Sequence, residues 1–304
     1  MPKVSVVIPA YNTLAYLPQS LTSALKQTFT DFDVLIVDDG STDGLAAWAA
    51  QLSDPRVRLV TQANQGLPGA RNTGVRHTEG EYIAFLDGDD LWRPDKLAKQ
   101  VALLDSRPEV GLVHTSVSFI DARGDAISRP VAAHGDGDVY REFLTFNEFY
   151  MVRCGSTPLV RRACFDDVGL FDPSLKFAED WEMWTRVAAH YHVATLGENL
   201  VLYRQHSSNL TKNYRIMTPH FTKIIERAFS DVPEKYRYLK GQAYGRTHLS
   251  VAWRAFYAGD YAEAAALCRQ AFLHFPKLRL TKTGLRLRLG LARVRLPGHA
   301  ERRA

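Results

Sequence analysis

The sequence predicts an α/β protein: a mainly parallel central sheet with helices on both faces, followed by a helical C-terminal region. Three observations lead there. Apolar runs of strand length alternate with helix-length segments from Val4 to Leu86. The runs are near-continuous rather than alternating, as in strands covered on both sides. Polar residues able to do chemistry collect just after them, and in such sheets ligands bind outside the carboxyl ends of the strands.

Val4 to Ile8 is the first run, leading into Pro9-Ala-Tyr-Asn12 and a helical stretch near Tyr16 to Gln27. The second, Val34 to Val37, ends in Asp38-Asp-Gly-Ser-Thr-Asp43 before a helical stretch from Gly44 to Leu52. Turn chemistry accounts for Asp38, and Asp43 reads as a helix cap. Val57 to Val60 and a helical Leu67 to Thr78 follow, then Tyr82 to Leu86 ends in Asp87-Gly-Asp-Asp90. Carboxylates this close repel one another, whereas Mg²⁺ or Mn²⁺ takes oxygen ligands and shares its coordination sphere with substrate phosphates. Gly88 is expected to let the backbone bend tightly between them. A solvated acidic turn capping the helix after Pro94 explains the cluster alone equally well.

Beyond Leu104 the pattern is less regular, with strands expected at Gly111 to Phe119 and Thr157 to Val160 and a helix at Asp180 to Val187. Glu179 and Asp180 stand at that helix entrance, where capping carboxylates are common. From Pro219 helices dominate. Gly259, Tyr261, Ala264, Ala271 and Pro276 have the offsets of one tetratricopeptide-like hairpin, a pattern ordinary amphipathic hairpins also meet. The expected division is 1–217 for the main domain, 218–276 for the helical region and 277–304 for a basic tail.

Composition narrows the function classes. At 304 residues and 46% hydrophobic content the chain can bury a full core. Three scattered cysteines make neither a disulfide framework nor a CxxC metal site, so a reducing compartment, the cytoplasm, is expected. No secretory leader is expected before Val4, and no run approaches the ~20 apolar residues of a membrane span. Residues 277–304 hold nine Lys/Arg and one acid, net +8, leaving −3 on the remainder. An acidic body with a basic tail argues against nucleic acid as a partner. The first βα turn, Pro9-Ala-Tyr-Asn-Thr13, has no glycine for a dinucleotide loop, and GxxxxGK[ST] occurs nowhere.

Five segments together resemble an inverting glycosyltransferase of family 2: Val4-Ser-Val-Val-Ile-Pro-Ala-Tyr-Asn12, Val37-Asp-Asp-Gly-Ser-Thr-Asp-Gly44, Gly69-Ala-Arg-Asn-Thr-Gly74, Phe85-Leu-Asp-Gly-Asp-Asp-Leu-Trp92 and Glu179-Asp180. The resemblance covers roughly the first 205 residues. It implies the type A, nucleotide-diphospho-sugar transferase fold and a Mn²⁺ or Mg²⁺ cofactor. Pro9, Ala10 and Tyr11 then border the nucleotide base, with Tyr11 offering an aromatic face. Asp39 would accept the imino N–H of uracil, thymine or guanine, which favours UDP or dTDP sugars. Arg71 lies near the diphosphate or fixes Asp39, or forms a structural ion pair. Asp87 and Gly88 belong to the DxD motif, with Asp87 at the ribose or metal, Asp89 the direct metal ligand and Asp90 supporting. Asp180 matches the general base, and His206 a histidine near diphosphate or metal. Trp181 and Trp184 either stack on sugar or pack in the core.

The expected activity is metal-dependent transfer from a nucleotide sugar to a hydroxyl of a glycan, lipid-linked oligosaccharide or protein glycan. A noncatalytic scaffold and a nucleotidyltransferase are the alternatives. The helical C-terminus is a candidate contact for a second copy or a protein partner. Leucines and arginines interleave in 277–304, which fits either peripheral attachment to anionic membrane or an ordinary solvated helix.

Overall fold

The computed structural model describes residues 1–147, 154–206 and 213–294. The chain forms two compact units, residues 1–143 with 148–207, and residues 144–147 with 208–304.

The first unit is built on an eight-stranded sheet: β1 (Val4–Ala10), β2 (Phe32–Asp38), β3 (Val57–Thr61), β4 (Tyr82–Phe85), β5 (Leu91–Trp92), β6 (Val110–Ile120), β7 (Leu159–Arg161) and β8 (His192–Arg204). Their order is β3-β2-β1-β4-β7-β6-β8-β5. β1 runs parallel to both β2 and β4, and β3 extends the parallel half beyond β2. The chain therefore leaves β1 toward one edge and returns to β4 on its other side. That reversal opens a crevice at the carboxyl ends of β1 and β4, the position such sheets use for ligands.

The other half is mixed. β7 is antiparallel to β4 and β6, β5 is antiparallel to β8, and only β6 and β8 run parallel. The expectation of a mainly parallel sheet thus holds for β1 to β4 and gives way beyond them. β5 and β7 are too short to show periodicity, and β8 pairs with β6 through register shifts around Ser116.

The helices of the chain are α1 (Leu17–Leu25), α2 (Leu45–Ala49), α3 (Gly66–Arg76), α4 (Lys96–Ser106), α5 (Tyr140–Leu144), α6 (Arg162–Val168), α7 (Glu179–Ala188), α8 (Met217–Ala228), α9 (Lys240–Tyr257), α10 (Tyr261–His274) and α11 (Lys282–Val294). All seven residues of β1 are buried. Val4, Val6 and Ile8 share a core with Leu17 and Leu21 of α1 and Leu97 and Val101 of α4. Successive strand residues point to opposite faces, so Val7 looks the other way, toward Gly74 of α3. On that side Phe85 packs against Phe165, Phe171 and Trp184, with centroids 6.1, 5.5 and 6.4 Å away. Helices thus cover both faces. Trp184 is core, and the Trp181 indole N–H donates to the Phe143 carbonyl, so packing accounts for both tryptophans.

In the second unit α9 and α10 form a helical hairpin. Gly259, at φ +82, ends the first helix, and the Asp260 carboxylate caps the second by accepting from Glu263 N–H. Ala264 and Ala271 are buried, and Pro276 opens a 3₁₀ turn to Leu280 before α11. Among the described residues no helix is long and apolar enough to cross a membrane.

Gly74 sets how closely α3 lies on β1, because a Cβ there would fall 2.1 Å from Val7 Cγ1. Gly74→Ala should cost about 1–3 kcal/mol through overpacking, read as a lower urea midpoint. Adding Val7→Ala should recover part of that loss, making the pair non-additive.

Candidate active site

Two loops frame the crevice. After β1, Asn12 adopts φ +53, and its side-chain oxygen accepts from Thr42 N–H while its own N–H donates to Ser41 Oγ. Asp43 accepts from Leu14 N–H and Leu45 N–H and so ties the two loops together; the N-cap of α2 is Gly44, one residue later than the expected cap. Tyr11 at their edge is half exposed, an available aromatic face beside the buried Pro9 and Ala10.

Asp39 has a duty the sequence did not suggest. Its Oδ1 accepts from Gln62 Nε2 at 2.7 Å and Gln65 N–H at 2.8 Å, and its Oδ2 from Gly66 N–H at 2.8 Å. The carboxylate caps the N-terminus of α3, where the helix dipole favours negative charge. Of its roughly four acceptor positions three are taken, leaving one on Oδ2.

Arg71, on α3, is 2% exposed. Its Nη1 donates to Glu179 Oε1 at 2.8 Å and its Nη2 to Asp87 Oδ1 at 2.9 Å. Phe85 and Phe171 lie against the guanidinium at 5.8 and 5.6 Å. Burial disfavours its charge, but Asp87, Glu179 and Asp180 outweigh that and hold it ionised. Arg71 therefore forms an ion pair, and its partner is not Asp39. Gly155 closes over it: a Cβ there would lie 2.0 Å from Arg71 Nη2 and 3.0 Å from Asp87 Oδ2.

The acidic run splits by role. Asp90 is fully buried, accepting from Ser156 Oγ at 2.6 Å and Arg204 N–H at 2.9 Å, and is structural. Ser156 Oγ in turn accepts from Asp87 N–H. Burial, then Asp89 and Asp87, push the Asp90 carboxyl well up. Asp89 faces the crevice and meets His206 Nε2 at 2.8 Å, with His206 stacked on Tyr16 at 5.0 Å. Burial and the Asp87 charge push the Asp89 carboxyl up against the pull of His206. Arg204 fixes this turn by donating from Nε to the Asp89 carbonyl and lying over the Tyr16 ring. The expected tight bend is present, closed by Asp90 N–H donating to the Asp87 carbonyl at 3.0 Å, but Gly88 makes it without positive φ. The glycine is needed for space, since a Cβ would come 2.8 Å from Thr13 Oγ1.

These donors fit a hard divalent cation. Asp89 and Asp87 could supply carboxylate oxygens and His206, now bonded to Asp89, an imidazole; the second oxygen of Asp87 and the buried Thr13 hydroxyl beside Gly88 have no hydrogen bond among the described residues. Among those residues no group of three His, Cys, Asp or Glu side chains is placed to hold a metal ion.

Asp180 and Glu179 open α7. Ala178 before them has φ +57, a left-handed conformation costing a non-glycine residue about 1–3 kcal/mol. Asp180 Oδ1 accepts from Trp181 N–H at 2.7 Å. Burial pushes its carboxyl up, opposed by Arg71. Burial, then the Asp180 charge, push Glu179 up to about 7 against Arg71.

A family model for glycosyl transferase family 2 matches residues 5–169, over half of the chain. The chain belongs to this family. An uncharacterized glycosyltransferase of Nostoc sp. is 33% identical over 219 residues, covering 68% of this chain and 66% of its own length. Chondroitin synthase of Escherichia coli is 32% identical over 247 residues, covering 78% of this chain and 34% of that protein. The chain thus spans from about a third to two thirds of these curated relatives. Among solved structures, S. aureus TarS 1–349 in complex with UDP matches with TM-score 0.63 at 19% identity, over 95% of this chain and 87% of that one. Mannosyltransferase PcManGT from Pyrobaculum calidifontis, in complex with GDP-Man and Mn²⁺, matches with TM-score 0.62 at 22% identity, over 96% and 84%. The family 2 chain has the type A glycosyltransferase fold.

Within this family 2 site the residues missed in sequence are Gly155, Ser156 and Arg204, together with Glu179 as a partner of Arg71. Gly155-Ser156 carries no local pattern, and only the neighbourhood of Arg204 to His206 was a signal. Arg71→Met should destabilise by about 3–5 kcal/mol in denaturant titration, by stranding Asp87 and Glu179. The raised carboxyl of Glu179 favours the folded state below its ordinary value near 4.5, and that contribution is lost as pH rises through about 7. Urea midpoints of the wild type should therefore fall relative to Glu179→Gln between about pH 5 and about pH 8.

Proposed function

We propose that this family 2 chain performs inverting, metal-dependent transfer of a sugar from a nucleotide-sugar donor, UDP- or dTDP-linked, to a hydroxyl of a glycan, lipid-linked oligosaccharide or protein-glycan acceptor. The supporting observation is Arg71, which ties Asp87 at the end of β4 to Glu179, the neighbour of Asp180. Donor-side and acceptor-side carboxylates then share one buried cation. The Tyr11 ring offers a face to the base, Pro9 and Ala10 border it, and the remaining acceptor position on Asp39 takes its imino N–H. GDP sugars present the same N–H, in line with the GDP-Man complex of the Pyrobaculum relative in fold. Chondroitin synthase among the relatives supports a glycan acceptor. Three buried free cysteines suit a reducing, cytoplasmic setting.

Asp180 takes the acceptor hydroxyl proton as that oxygen attacks the anomeric carbon. The bond from the anomeric carbon to phosphate breaks on the opposite face, and its electron pair leaves with the nucleoside diphosphate. An upward-shifted carboxyl is a better base near neutral pH. Asp89, Asp87 and His206 would hold Mn²⁺ or Mg²⁺, which would supply positive charge against that developing on the diphosphate.

Asp180→Asn should keep donor binding by calorimetry while transfer falls about 10²–10⁴-fold. Asp89→Ala should lose metal-supported donor binding. Wild-type rates in both variants, or a product retaining the donor's anomeric configuration by NMR, would overturn the mechanism.

A further inference from the structure

In the second unit, α11 divides its leucines. Leu287 is fully buried, as is Leu278 in the preceding turn, whereas Leu280, Leu285 and Leu289 are 89, 47 and 52% exposed. Leu285 and Leu289 are four residues apart and form one outward stripe. At 100° per residue, Lys282 and Arg286 lie on one side of that stripe and Arg288 on the other. Lys277 and Arg279 are exposed in the turn that carries Leu280. None of these five cations forms an ion pair within the described residues, and residues 277–294 contain no acid. The rest of the tail, from Arg295 to Ala304, lies outside the described residues.

Read in sequence, the tail lacks the Trp and Phe that interfacial helices use. The fold supplies aromatics from α9. A Cβ on Gly290 of α11 would lie 2.9 Å from the Phe256 ring, so that ring sits directly against the helix. Phe256 meets Trp253 edge-on at 5.7 Å and Tyr261 at 5.4 Å, while Trp253 stacks on Tyr257, itself 80% exposed. The exposed Tyr257 and Tyr261, with an apolar body and a polar tip, suit the headgroup level of a bilayer, while the Trp253 indole N–H is buried behind them.

We infer that α11, with the 277–280 turn and the α9 aromatics beside it, is a docking surface for an anionic lipid bilayer. Both halves of its chemistry are used there. The leucine stripe enters the acyl boundary while the flanking cations remain among anionic headgroups. A nucleic acid would use the cations and leave the leucines in water. The inference does not depend on the transfer reaction proposed above.

The full chain should sediment with mixed phosphatidylcholine and phosphatidylglycerol vesicles, bind pure phosphatidylcholine far more weakly, and release as salt is raised. Arg286→Gln with Arg288→Gln should weaken binding about 25-fold, at about fivefold for each cation. Leu285→Ser with Leu289→Ser should weaken it by at least about tenfold. Unchanged thermal midpoints confirm that the variants fold, and the wild-type comparison of vesicle types stands without them. Equal binding to neutral vesicles, or none to anionic ones, would overturn the inference. So would binding that survives loss of both leucines and is displaced by short duplex DNA, which would mark a polyanion surface. A wild-type dimer abolished by Leu285→Ser would instead assign the face to a second copy and overturn it as well.

Discussion

The buried guanidinium of Arg71 is the constraint around which the first unit's site is organised. A cation out of water needs compensation, and two carboxylates from distant segments supply it at 2.8 and 2.9 Å. Because its Nη atoms are fixed by partners in different elements, α3, the end of β4 and the start of α7 must arrive in one arrangement. The absent side chain at Gly155 belongs to the same constraint, since the backbone there passes where any Cβ would strike the guanidinium. Asp87 thereby has one oxygen committed to Arg71, and the other accepts no hydrogen bond among the described residues.

A second tier supports the first. Asp90 accepts from both Ser156 and Arg204, and Arg204 also donates to the Asp89 carbonyl, linking the β4 turn to the end of β8. Asp39 does the same for α3 by capping it, so a carboxylate suited to a base is also a fixed part of the scaffold. In both cases the polar group is held by the chain before any ligand arrives, which limits the reorganisation that binding requires.

The parallel half of the sheet was legible because Val4 to Ile8, Val34 to Val37, Val57 to Val60 and Tyr82 to Leu86 are long enough to show their period. β5 and β7 were not visible at all or only approximately, being two and three residues long, so the mixed half emerged only with the coordinates. In the candidate site, Asp87, Asp89, His206 and Asp180 were accessible through motif and position. The partner of Arg71 was not, because nothing local in Gly69-Ala-Arg-Asn-Thr-Gly74 points to a glutamate so far along the chain. Gly88 and Gly155 show the same limit: a glycine's identity is plain, but whether it serves torsion or proximity depends on what packs against it.

The Arg71–Glu179 pair joins residues 108 positions apart. Contacts that close so long a loop are entropically expensive and tend to form late in folding. The first four strands precede Glu179 in the chain, and without α7 the Arg71 guanidinium has only Asp87 of these two partners. The parallel half therefore lacks part of its interior until α7 is in place, and the site is whole only after the end of β8 has delivered Arg204 and His206.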